Sequence, residues 1–211
     1  STVMRSPKKP QYKLPSTLTE TTGPLFSQDD VTAAECDLVT GANGAPAIGQ
    51  LMIMDGVVTD EDGRPAANTL IEIWQANSAG KYAHVMDTRD APGDPNFIGA
   101  GRAVTDEDGH YRFTTIKPGA YPVPNSGNYW RPPHIHISLY GHSFMSRMIT
   151  QSYFPGDPLN DEDHILQGIP DAAARDRLVM KLDPSVGVDE HALGFRHNLV
   201  LRGRRATPMV G

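Results

Sequence analysis

An all-β fold, a β-sandwich of mixed topology with an irregular N-terminal arm and one short helix, is what this sequence predicts. Three observations carry the prediction. Glycine and proline are frequent, 20 and 18 of 211 residues, so the chain is broken at close intervals. The apolar segments between breaks are short and rich in β-branched and aromatic residues. One of them, "GHYRFTTIKPG", alternates as a half-buried strand does.

Taken in order, residues 1–50 are polar and irregular and read as an extended arm. The core, residues 51–211, opens with the strand-like runs "LMIMDGVVTD", "TLIEIWQA", "GRAVTD" and "YRFTTI". It continues with "HIHISLYG", "RMITQSYF" and "FRHNLVLRG". The word "VTDEDG" occurs at Val58–Gly63 and again at Val104–Gly109, each time between two such runs. Its acids lack the spacing of a calcium loop, and Asp-Gly between strands is turn chemistry. The one clear helix signal is "PDAAARDRLVMKL", Pro170 to Leu182, with proline at the start, acid early and base late. Many short strands with close turns make a sandwich, and nothing divides residues 1–211 into two domains.

Charge and composition exclude several functions. A net charge of −6 provides no electrostatic footprint for nucleic acid or an anionic membrane. The basic cluster at Arg202–Arg205 is short and reads as a solvated strand end. No run has the length of a membrane-spanning helix. A single cysteine, Cys36, rules out an internal disulfide framework and a multi-thiolate zinc site. It reads as a bland thiol, and the expected compartment is the cytoplasm.

The chemistry begins at "NYWRPPHIHISLYG". On a strand, residues i and i+2 share a face, so His134 and His136 point together while Ile135, Ile137 and Leu139 point away. Two neutral imidazoles so placed suit one metal ion. The remaining ligands are open on spacing alone. A cupin glutamate is absent. A third histidine among His84, His110, His142, His164, His191 and His197, or a carboxylate among Asp157, Asp161, Glu162 and Asp163, would complete different sites.

Longer words narrow this. "TLIEIWQANSAGKYAHVMD", "DPNFIGAGRAVTDEDGHYRFTTIKPGAYP", "WRPPHIHISLYG" and "ITQSYFPGDPL" resemble the intradiol ring-cleaving dioxygenases. Among these the likeness is to the iron-bearing chain of the two-chain enzymes acting on protocatechuate, and it extends from Ser16 to the C-terminal "FRHNLVLRGRRAT". The resemblance implies an iron(III) site held by Tyr82, Tyr121, His134 and His136. It implies insertion of both atoms of O2 into a catechol to give a cis,cis-muconate, with Tyr121 also serving as a base. Arg131 matches the family's active-site arginine, Gln151 a residue beside the pocket that orients Arg131 or a ligand, and Trp74 a tryptophan near the site. A homologous α chain in an αβ hetero-oligomer is implied as partner.

The chain also departs from the pattern. Where these enzymes carry tryptophan and a basic residue after the tyrosine and proline, it has Val123 and Pro124. Val123 is therefore expected to line a roomier pocket, admitting 4-sulfocatechol as well as protocatechuate. Two readings of other classes remain beside this one: a zinc hydrolase or lyase using the two histidines and a carboxylate, and a non-catalytic prealbumin-like module. Metal content and colour separate them.

Overall fold

The computed structural model describes residues 31–41, 44–141 and 147–210. Two sheets and a small hairpin organise them. The first sheet is built around β1 (Leu51–Thr59), which pairs antiparallel with β4 (His110–Ile116) and parallel with β10 (Leu193–Arg196) and β11 (Leu199–Val200). The short strand β9 (Lys181–Leu182) closes its edge against β10. The second sheet is antiparallel, in the order β3 (Ala100–Val104), β2 (Leu70–Trp74), β7 (His134–Tyr140), β8 (Arg147–Tyr153). The hairpin is β5 (Tyr121–Pro122) with β6 (Trp130–Arg131). This is the expected all-β sandwich of mixed topology.

Alternation builds the core. Met52 and Met54 of β1, Phe113 of β4, Ile71 and Ile73 of β2, and Ile135, Ile137 and Leu139 of β7 are buried in one cluster between the sheets. Each such side chain contributes about 1.5–3 kcal/mol by leaving water. The arm is less irregular than expected where it is described. Ala33–Cys36 form a 3-10 turn, and Leu38 enters the main core with no exposed surface. Residues 1–30 of that arm lie outside the described residues.

Three local expectations meet a different outcome or a finer one. Both "VTDEDG" words turn the chain as hairpin chemistry requires. Asp60 Oδ1 accepts from the N–H groups of Asp62 and Arg64, and Asp106 Oδ1 from those of Asp108 and His110, so these carboxylates serve their own turns. The run "FRHNLVLRG" splits into β10 and β11, because the Asn198 side chain takes the Val57 N–H between them.

The expected helix over Pro170–Leu182 is shorter than predicted. Helix α2 covers only Ala172–Asp176, capped by Asp171, and a second one-turn helix, α1 (His164–Gln167), precedes it. Beyond Asp176 sheet pairing prevails. Tyr153 N–H donates to the Leu178 carbonyl at 2.8 Å and Met180 N–H to the Tyr153 carbonyl at 2.9 Å, burying Leu178 and Met180. Among the described residues no helix is long and apolar enough to cross a membrane.

Candidate metal centre

The histidine pair sits on an internal strand of the second sheet. β7 is flanked by β2 and β8, and the register sets Trp74, His136 and Gln151 in one row across the sheet. His134 and His136 therefore project from the face opposite the apolar core. Trp74 lies flat on the His136 ring, with centroids 4.9 Å apart and planes 7° apart, which fixes the imidazole's orientation.

The two tyrosines arrive on different backbone. Tyr121 belongs to β5, directly opposite Arg131 on β6. Tyr82 follows a turn in which Asn77 Oδ1 accepts from the N–H groups of Ala79 and Lys81. The two segments touch because of two glycines. A Cβ on Gly80, whose φ is +76°, would meet the Ala120 carbonyl oxygen at 2.4 Å; one on Gly119 would meet the Ser78 carbonyl oxygen at 2.4 Å. Asp87 then locks the loop: its carboxylate takes the Tyr82 N–H at 2.9 Å and Arg89 Nε at 2.8 Å, with Lys81 nearby. Burial would raise the Asp87 pKa, but Arg89 and these N–H groups outweigh it and hold the carboxyl below its ordinary range.

Four donor atoms converge. Tyr82 Oη stands 3.4 Å from His134 Nε2 and 3.1 Å from His136 Nε2. Tyr121 Oη is 3.4 Å from His134 Nε2, and the two Nε2 atoms are 3.3 Å apart. Nitrogen and oxygen ligands bind such ions at about 2.0–2.2 Å, and donors roughly 100–110° apart around one ion stand about 3.1–3.4 Å from each other. The set fits a single ion.

Protonation agrees. His134 Nδ1 is 2.7 Å from the Pro132 carbonyl, which can only accept, so Nδ1 carries the hydrogen and Nε2 presents its lone pair. Burial and the Arg131 charge lower its pKa to about 4; burial, His134 and Arg131 lower that of His136 to about 3. Both rings are neutral, as ligands must be. Burial and neighbouring Tyr121 push the Tyr82 phenol above its ordinary range, so only a cation at this point makes a phenolate favourable.

Arg131 closes the site from the sheet side. It is buried, and Nη1 lies 3.2 Å from His134 Nε2. Its Nη2 donates to Gln151 Oε1 at 2.7 Å and to Tyr153 Oη at 3.0 Å; its Nε donates to Asp163 Oδ2 at 2.9 Å. Gln151 thus touches Arg131 rather than the four donors. The sequence offered Asp163 only as one of four carboxylates that could bind a metal, and the structure gives it to Arg131 instead; Tyr153 was not singled out at all. The N-cap pattern ahead of "HILQ" could have flagged Asp163 as a cap, but no local signal names its arginine.

Other candidates go elsewhere. His110 pairs with Asp55 at 2.7 Å, His164 stacks on Tyr129, and His197 is bound to Ser152. Asp157 caps the turn Pro158–Asp161, while Asp161 and Glu162 are exposed. His142 lies outside the described residues. Among the described residues no three His, Cys, Asp or Glu side chains gather to hold a metal; the donors that converge here are two histidines and two tyrosines.

A cleft of 470 Å³ opens beside the four donors, lined by Trp74, Tyr82, Arg89, Tyr121, Pro124 and His136 among others. Pro124, not Val123, forms this wall. The hairpin reverses just after it, with Asn125 at φ 58°, and the Val123 N–H is spent on the Tyr129 carbonyl.

Comparison with known proteins shows the family. Residues 21–203 match a family model described as Dioxygenase. The chain is 51% identical over 211 residues to a protocatechuate 3,4-dioxygenase beta chain of Burkholderia cepacia, covering 99% of this chain and 89% of that one. It is 33% identical over 158 residues to a catechol 1,2-dioxygenase of Acinetobacter baylyi, covering 67% of this chain and 47% of that protein. It thus spans about half the length of the latter relative. Among solved structures, the 3-chlorocatechol 1,2-dioxygenase of Rhodococcus opacus superposes with a TM-score of 0.62 at 23% identity, covering 81% of this chain and 65% of that one, which supports the fold.

Proposed function

This chain belongs to the intradiol ring-cleaving dioxygenases, and on that premise we propose that it is the iron-bearing chain of an enzyme that opens 4-substituted, anionic catechols to cis,cis-muconates. The observation that carries this is the convergence of Tyr82, Tyr121, His134 and His136, with separations of 3.1 to 3.4 Å. These four would hold iron(III), whose hardness suits two phenolates. When bound, that ion supplies a Lewis acid for both catechol oxygens and an electron acceptor that readies the ring for O2.

The residues divide the remaining work. A catechol that binds as a dianion gives up two protons: Tyr121 Oη, held as a phenolate, would receive one, and a hydroxide from solvent would take the other to give water. Tyr121 stands on the two-residue strand β5, whereas both histidines stand on β7, which is paired along both edges. Arg131 Nη1 places a fixed cation beside the centre, where negative charge develops on oxygen during cleavage. Trp74 holds the His136 ring, and Gln151 holds Arg131.

Charge on the cleft wall supports an anionic ring substituent. Arg89 lies over the Tyr121 ring, 4.5 Å from its centroid, and spends Nε and Nη2 on Asp87. Lys81, outside the cleft's lining, also pairs with Asp87, so the three side chains together sum to +1. Protocatechuate and 4-sulfocatechol both meet that description. The relative's designation as a beta chain supports an α partner in a hetero-oligomer, in the cytoplasm.

Turnover of the iron-loaded protein on protocatechuate, 4-sulfocatechol and catechol, followed by product absorption, tests the reading. Both anionic substrates should exceed catechol, and Arg89→Met should narrow that margin by about tenfold. Zinc in a colourless protein, with no ring-opened product, would sink the proposal.

A further inference from the structure

The buried carboxylate of Asp163 stands out from its acidic neighbours. Asp157 is half-buried, and Asp161 and Glu162 are exposed, while Asp163 has no exposed surface. It meets three elements at once. Oδ1 caps α1 by accepting from the N–H groups of Ile165 at 3.0 Å and Leu166 at 2.8 Å. Oδ2 accepts from Arg131 Nε at 2.9 Å, and Oδ1 lies 3.3 Å from Arg131 Nη2. The hydroxyls of Tyr129 and Tyr153 complete the shell at 3.4 and 3.2 Å.

A guanidinium presents five N–H groups in a fixed plane. Here Asp163 grips Nε and shares Nη2, and Gln151 and Tyr153 take the rest of Nη2. Only Nη1 is left facing His134 Nε2. A buried cation left without its counter-charge would not hold such an orientation. We infer that Asp163 is a positioning residue: it fixes the Arg131 plane so that Nη1 alone faces the metal-binding end of His134, and it anchors that plane to the N-terminus of α1. The inference rests on the reading above that Arg131 stabilises charge during ring cleavage.

Asp163→Asn separates holding the arginine from capping the helix, because asparagine caps about as well as aspartate. In the metal-free protein, the Arg131 Nε–H should be protected from solvent exchange, and Asp163→Asn should lose that protection. In the iron-loaded protein, the same variant should lower kcat by about 10–100-fold with KM changed less than about threefold and iron content unchanged. Combined with Arg131→Lys, it should add little further loss, because both substitutions break one unit.

Persistent protection of Nε–H, or losses that multiply in the double variant, would overturn the inference. A melting temperature lowered with kcat intact per folded chain would overturn it too, reducing Asp163 to a cap. Should Asp163→Asn fail to fold, Asp163→Glu keeps the charge while displacing it by one methylene. A reduced kcat at unchanged KM then supports the inference, and a wild-type kcat overturns it. Absence of ring cleavage by the parent protein would defeat the functional reading instead, while lost Nε–H protection in Asp163→Asn would still support the positioning.

Discussion

His134 and His197 look alike by burial and differ in what surrounds their nitrogens. They are 2% and 3% exposed, and the pKa of each is lowered to about 4, chiefly by burial. His197 is satisfied by the protein alone: Ser152 Oγ lies 2.7 Å from Nδ1, and Nε2 donates to the Arg177 carbonyl at 3.2 Å. His134 carries its hydrogen on the other nitrogen and turns the lone pair of Nε2 toward His136, Tyr82 and Tyr121, with Arg131 Nη1 at 3.2 Å beside it. Burial and a depressed pKa are common to a structural histidine and a ligand. Converging lone pairs mark the ligand.

The largest expected contrast is in metal content. His134→Ala or His136→Ala should lose iron, with affinity reduced by more than about 100-fold, since each removes a ligand rather than a supporting partner. His197→Ala should retain iron per folded chain while costing about 1–3 kcal/mol of stability, because it strands Ser152 Oγ and the Arg177 carbonyl. Metal analysis with denaturant melts measures both. Equal iron loss in the His197 variant would erase the distinction.

Acid sharpens the contrast from the other side. The unfolded chain protonates residue 197 near pH 6.5, whereas the folded chain does so only near 4. Its contribution to stability is therefore complete above pH 6.5 and lost as the pH falls toward 4, amounting to about 3 kcal/mol. His197→Gln should lose correspondingly less stability than the parent between pH 7 and pH 4 in denaturant melts.

Next comes the difference between the ligands on β7 and the one on the small hairpin. Tyr121→Phe should keep iron better than the histidine variants but slow substrate binding by about 100-fold, since it removes the proton acceptor. Stopped-flow mixing with catechol measures this, and an unchanged binding rate would refute the role given to Oη. The smallest effect belongs to Val123→Trp. Because Pro124 forms the wall, selectivity among the three catechols should move by less than about threefold, well inside the range of a true pocket change. A larger shift would place residue 123 in the cleft after all.

Much of the site was legible because its signals are local. The spacing of His134 and His136 implied a shared face, since strand geometry fixes side-chain direction at period two. The resemblance carried by "NSAGKY" and "KPGAYP" added Tyr82 and Tyr121, which composition alone would leave as ordinary residues near turns. The glycines in those same words, Gly80 and Gly119, let the two segments touch. The helix over Pro170–Leu182 was overestimated for a nonlocal reason: Tyr153 offers its backbone to Leu178 and Met180, and that partner lies far away in sequence.

What the sequence by itself determined is therefore the alternation, the turns and the pair of imidazoles on one strand. These depend on backbone geometry within a few residues. Only the tertiary structure decided which buried groups meet. It sent Asp163 to Arg131 instead of to the four donors, closed His197 with Ser152, and put Pro124 on the cleft wall. A buried polar side chain is defined by the partner that satisfies it, and that partner comes from whichever segment the packing of the two sheets and their loops brings alongside.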